Sequence, residues 1–102
     1  MYIVLTPTER EFKFCLSFGD SLGFTLSRGN SLISNNTYVW WNWYEEYTCL
    51  RFHTSAVCTY DSLDFNKEKG NTVISVSEFL SEFKFKLDKS KKQVVYDSIN
   101  KE

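Results

Sequence analysis

Tyr38-Val39-Trp40-Trp41-Asn42-Trp43-Tyr44-Glu45-Glu46-Tyr47 holds all three tryptophans and three of the six tyrosines of a 102-residue chain. Such side chains bury large areas and dominate both cores and interfaces, so either the interior or a recognition surface is built here. Residues 37 to 44 and 47 to 54 are rich in aromatic and β-branched types, which predicts two strands joined at Glu45-Glu46. With Tyr44 opposite Tyr47, one face of that hairpin carries Val39, Trp41, Trp43, Leu50 and Phe52 and reads as core. The reverse face carries Tyr38, Trp40 and Tyr44 beside Tyr47, Arg51 and His53, with Trp40 opposite Arg51 and Tyr38 opposite His53. Cross-strand neighbours are close enough for a guanidinium to cover an indole ring. Two features count against this face. Glu-Glu is a poor two-residue turn, and a bulge there would exchange the faces. A second layer, such as residues 93 to 99, would also turn the reverse face into core.

Outward from this stretch the chain reads as more sheet before it and a helix after it. Tyr2 to Leu5 is a short apolar run stopped by Pro7, the signature of an edge or opening strand. Residues 11 to 18 alternate, with Phe12, Phe14, Leu16 and Phe18 on one side and Glu11, Lys13, Cys15 and Ser17 on the other, which predicts a half-buried strand. Gly19 to Gly23 breaks it, and residues 24 to 27 resume the alternation as a hairpin partner. Residues 56 to 60 supply a fifth piece of sheet, and residues 61 to 71 a charged loop. Ser75 and Glu78 have the spacing of a capping box. Val76, Phe79, Leu80, Phe83 and Leu87 then repeat at helical spacing.

The expected fold is therefore α+β, an antiparallel sheet of four to five strands packed by one helix in the C-terminal half, in a single domain over residues 1–102. The expected core is Phe12, Phe14, Leu16, Phe18, Trp41, Leu50, Phe52, Phe79, Leu80 and Phe83.

Composition narrows the function classes. Hydrophobic residues make up 42% of the chain and aromatics 18%, enough to offset ordering entropy by burial. Cys15, Cys49 and Cys58 have no metal-ligand spacing, the N-terminus has no signal-peptide pattern, and no apolar run approaches a membrane span. A reduced, cytoplasmic protein without a membrane segment is the expectation. His53 is the single histidine, so acid-base and metal schemes that pair two imidazoles are not available. No glycine loop with a following lysine exists to cradle a phosphate, and no cofactor or metal site is expected. Residues 1 to 83 carry six Lys/Arg against ten Asp/Glu, while residues 84 to 102 carry six against three. The late lysines Lys84, Lys86, Lys89, Lys91 and Lys92 are most simply a solvated face.

These observations favour a small cofactor-free binding protein, not an enzyme, that blocks or sequesters a protein partner through Tyr38, Trp40, Tyr44, Tyr47, Arg51 and His53. Phe, Tyr, Met, Ile, Asn and Lys total 36 residues against nine of Gly, Ala, Arg and Pro, the mark of an AT-rich genome. A bacteriophage-type inhibitor of a host protein is one concrete form of that expectation. The alternative is a nucleotide or single-stranded nucleic-acid binder, with bases stacked on the aromatic face and phosphates held by Arg51, His53 and the late lysines.

Overall fold

The computed structural model describes residues 1–82. It is an α+β arrangement in which a three-stranded antiparallel sheet, order β1-β2-β3, is packed by helices. The strands are β1 (Tyr2–Leu5), β2 (Thr48–Phe52) and β3 (Cys58–Ser62). The first lies where the apolar run before Pro7 places it. The other two fall within or against the expected strands at 47 to 54 and 56 to 60. Three strands stand where four to five were expected, because two of the alternating segments are helical.

The first of these is α1 (Glu9–Ser21). Its buried residues, Phe12, Cys15, Leu16 and Gly19, are spaced three and four apart, so one helical stripe faces the sheet, whereas Phe14 is 49% exposed. Phe12 and Leu16 belong to both the period-2 and the helical set, which is why alternation alone misassigns the segment. The start signal decides it: Glu11 N–H donates to the Thr8 hydroxyl, and that hydroxyl donates to the Glu11 carboxylate, both at 3.1 Å. Thr8-Glu9-Arg10-Glu11 has the spacing of a capping box, and Glu9 and Glu11 lie at the positive end of the helix dipole.

The second is the aromatic run itself. It folds as α2 (Asn35–Tyr38), α3 (Trp41–Tyr44) and a 3-10 turn over Glu45–Tyr47. Short i to i−3 bonds hold it, from Trp40 N–H to Thr37 C=O at 3.0 Å and from Trp43 N–H to Trp40 C=O at 3.2 Å. Strand preference is largely a matter of fitting a pleated surface, and no edge of β2 is free to receive this run. Arg51 sits opposite Ile3 on one side and Thr59 on the other. The hairpin that would oppose Trp40 to Arg51 therefore does not form. The chain does turn sharply at Glu45, whose φ of 46° lies in the left-handed region, but it turns from one helical segment into another.

Between α1 and α2 the Asp20 carboxylate accepts from the Ser31 hydroxyl at 2.9 Å and from Leu32 N–H at 3.1 Å, seating Leu32 in the core. Within this connection the backbone of Thr25 forms a single parallel bridge to Val57, beside β3. After β3, Ser62 caps α4 (Leu63–Glu68), where a charged loop was expected. Residues 76 to 82 are helical, here α5, and start with the expected box: Ser75 N–H to the Glu78 carboxylate at 3.2 Å, Glu78 N–H to the Ser75 hydroxyl at 3.1 Å.

The core lies between α1, α5 and one face of the sheet. Phe52 and Phe79 stack with centroids 4.7 Å apart, and the Phe24 ring meets Phe52 edge-on at 5.1 Å. Phe12, Leu16, Leu50, Phe52 and Phe79 are buried as expected, while Phe18, Trp41 and Leu80 are half-buried and packed against that core. Phe83, the lysine run and residues 93 to 99 lie outside the described residues.

Candidate functional site

Strand β3 forms one edge of the sheet and carries residues on both faces. Tyr60 stands opposite Leu50 on the core side. Its ring stacks on Trp40 at 4.5 Å and 16°, and Tyr44 lies 6.0 Å from it at 51°. The helical turns of residues 35 to 47 thus lean on the β3 edge through two aromatic contacts.

On the reverse face, β2 and β3 present Arg51, His53, Thr59 and Asp61. Arg51 Nη1 meets Asp61 Oδ2 at 2.6 Å, with the two side chains 19% and 16% exposed. Asp61 Oδ1 accepts from Asn66 Nδ2 at 2.6 Å, and Asn66 Oδ1 accepts from Asn71 Nδ2 at 3.0 Å. Asn66 is fully buried. The charge of Arg51 is therefore absorbed by a carboxylate that α4 holds in place. His53 Nε2 is 2.8 Å from the Thr59 hydroxyl. Burial, with Arg51 and the N-terminal ammonium adding to it, moves the His53 pKa below its ordinary value, so the ring is neutral at physiological pH.

Two grooves adjoin along this strand. One, of about 320 Å³, is floored by Arg51, His53, Thr59 and Asp61 and flanked by Tyr44, Tyr60 and Phe65. The other, of about 300 Å³, runs beside Cys58, Thr59 and Tyr60 between residues 26 to 30 and Trp40. Thr59 and Tyr60 belong to both.

The structure brings together Tyr44, Arg51 and His53, three of the residues singled out in the sequence, but through α3 and two adjacent strands and not through a hairpin. Trp40 stands at the second groove, beyond the Tyr60 ring. Tyr47 is 56% exposed on the 3-10 turn. Tyr38 does not join them: its ring lies under the Lys13 ammonium at 5.1 Å and packs against the core. The sequence reading missed Tyr60, Asp61 and Phe65. The charge of residues 61 to 71 suggests a loop, although Ser62-Leu63-Asp64 followed by Lys67 carries the cap and end charges of a short helix.

The exposure of the aromatic run is uneven. Trp43 is 71% exposed and Tyr44 40%, and Phe65, across the first groove from Tyr44, is 41% exposed. The thiols are shielded, although Cys58 lines the second groove. Cys15, Cys49 and Cys58 are free and buried, and burial pushes Cys15 to about 12 and Cys49 to about 11. Among the described residues no group of three His, Cys, Asp or Glu is placed to hold a metal ion. Among them, too, no helix is long and apolar enough to cross a membrane. No protein-family model, no curated protein and no solved structure matches this chain.

Proposed function

We propose that this chain is a cofactor-free protein-binding module that works by occupying a surface of its partner. The observation that carries the reading is the exposure of Trp43 at 71% and Tyr47 at 56% on turns anchored to the sheet edge, with half-exposed Tyr44 continuing from them to the groove that Phe65 also lines. Exposed large rings grouped on one surface are the kind of patch that marks an interaction site, and Trp and Tyr are the types that most often carry interface energy. Trp43, Tyr44, Tyr47 and Phe65 are the anchors, and Trp40 and Tyr60 support them from behind.

The nucleotide or nucleic-acid alternative has less to draw on. Arg51 is paired with Asp61 and the His53 pKa is lowered, chiefly by burial, so neither offers a ready positive charge to a phosphate; the late lysines, the third part of that alternative, lie outside the described residues.

The test is a pair of variants, Trp43→Ala and Tyr47→Ala, each measured by thermal melt and by titration against the purified partner recovered with the wild-type chain. Both sites are solvent-facing, so the melts should stay within about 0.5 kcal/mol of wild type. The complexes should weaken by about 30-fold each, the size of a ~2 kcal/mol hot-spot loss. Unchanged affinity in both variants refutes the reading. A steep fall of wild-type affinity with salt would instead point to phosphate contacts.

A further inference from the structure

Each edge of the sheet carries one parallel bridge, and the bridges leave different lengths of backbone open. On the short β1 the bridge uses two of the four outward-facing groups: Leu5 N–H donates to Ile74 C=O and Ile74 N–H to Ile3 C=O, both at 2.9 Å. On β3 the same closure begins and stops. Thr25 N–H donates to Ala56 C=O at 3.0 Å and Cys58 N–H to Thr25 C=O at 2.9 Å, a parallel bridge. The next step along that ladder would bring residue 27 to Cys58 C=O and Tyr60 N–H. The chain turns away instead, with Leu26 N–H bonded to Asn30 C=O at 2.9 Å and Gly29 N–H to Leu26 C=O at 2.8 Å.

Which groups this leaves can be read from the alternation of an antiparallel ladder, where every second residue directs its N–H and C=O outward. His53 N–H donates to Val57 C=O, so Val57, Thr59 and Asp61 face β2, and Cys58, Tyr60 and Ser62 face outward. Among the described residues no hydrogen bond reaches the Tyr60 N–H or C=O. These groups border the groove of about 300 Å³ between Leu26 and Trp40.

Resting on the protein-binding reading above, we propose that this edge is where the partner enters: an extended segment of the partner protein adds to β3 as a fourth strand, bonding Cys58 C=O and both backbone groups of Tyr60. An unpaired edge is a template for another peptide backbone, and strand addition is a recurrent mode of peptide capture. The walls choose between possible strands. A second copy of this chain would bring its own Leu26 and Trp40 walls against these, whereas a lone extended segment fits between them. Its alternate side chains would meet Trp40 and Leu26 on one side and solvent on the other.

The test uses the full-length chain, a display library of short random linear peptides, and synthetic copies of the peptides it selects. Amide exchange at Tyr60 is followed by NMR, and each peptide is also made with single backbone nitrogens methylated. Strand addition predicts that Tyr60 N–H exchanges quickly in the free chain, unlike Thr59 and Asp61, and slows by about tenfold or more when peptide saturates it. Methylation at nitrogens of one parity should weaken binding by about tenfold or more and at the other parity leave it unchanged. Peptides that bind without protecting Tyr60 or without a parity effect overturn the proposal. So does slow exchange in the dilute free chain, where the protein's own residues would already hold the edge. Protection that grows with protein concentration alone overturns it in favour of a second copy. If the edge proves closed while Trp43→Ala and Tyr47→Ala still weaken the partner complex, strand addition fails and the protein-binding function stands.

Discussion

Gly19 sits in the third turn of α1 with no side chain, and a Cβ built on it would lie 2.5 Å from Phe52 Cε1 and 3.4 Å from Leu32 Cδ1. Gly19→Ala sets two effects against each other. In a helix interior alanine is favoured over glycine by about 1 kcal/mol. Against that, the Phe52 ring cannot move freely, since it is 1% exposed, stacked on Phe79 and met edge-on by Phe24. Overpacking a core of this kind costs ~1 to 3 kcal/mol, and a contact as short as 2.5 Å belongs in the upper part of that range. The net expectation is a loss of about 1 to 2 kcal/mol, or roughly 5 to 10 °C in Tm for a domain of this size. Urea unfolding and a thermal melt measure it, and Phe52→Leu supplies the control. If the clash is the cause, Gly19→Ala combined with Phe52→Leu should lose less than the sum of the single losses. A Gly19→Ala protein that melts above wild type would refute the packing of α1 on β2.

Two other expectations concern titratable groups. His53 has its pKa lowered in the folded chain by burial first and by Arg51 second, so as pH falls below about 6.5 the unfolded chain takes up the proton before the folded one. Stability from this group is complete above that pH and is lost as pH falls toward the folded pKa; His53→Gln should flatten that part of the stability-pH curve, and parallel curves for the two proteins would sink the assignment. The thiols of Cys15 and Cys49 are pushed to about 12 and about 11, and Cys58 further still, chiefly by burial. Alkylation at neutral pH should therefore proceed through unfolding, with unfolding midpoints equal with and without reductant; rapid labelling of the native chain would contradict their burial.

What was legible in the sequence is what local chemistry alone decides. Tyr2 to Leu5 is apolar, short and stopped by Pro7, and no other element can be built from it. The Ser75 and Glu78 box fixes a helix start by two hydrogen bonds within four residues. Phe12 to Phe18 was not legible by periodicity, because Phe12 and Leu16 satisfy either period; the cap at Thr8 and Glu11 was the deciding signal, one turn earlier. The aromatic run was illegible for a different reason. Its strand preference is real, but a strand needs a vacant edge, and both edges of β2 are taken by β1 and β3, which lie 43 or more and at most 14 residues away from it in the chain. That competition is settled by the whole sheet and cannot be seen in residues 37 to 47. Of the residues expected to form one face, Tyr44, Arg51 and His53 still meet, because Arg51 and His53 are two apart on one strand and α3 returns to the β3 edge. Tyr38, placed with them only by the hairpin register, packs elsewhere.

The surfaces left open by this topology bear on function more than any single residue does. One sheet face is packed by α1 and α5, and the outer edge of the short β1 is bridged at Ile74. Much of the reverse face is tied up in the Arg51, Asp61, Asn66 and Asn71 network under α4. Among the described residues, three open surfaces adjoin one another, the β3 edge past Cys58, the groove over Arg51 and His53, and the exposed rings of residues 43 to 47, and Tyr60 links all three. Its backbone borders the edge, its ring backs Trp40, and its flank lines the groove beneath Tyr44. A partner strand on the edge would press against Trp40 and Tyr60, and the same stacked pair fixes the turn that carries Trp43 and Tyr47. Backbone pairing and aromatic anchoring are then parts of one interface, so their free energies should couple. Weakening one contact should reduce the gain from the other by more than independent sites would allow.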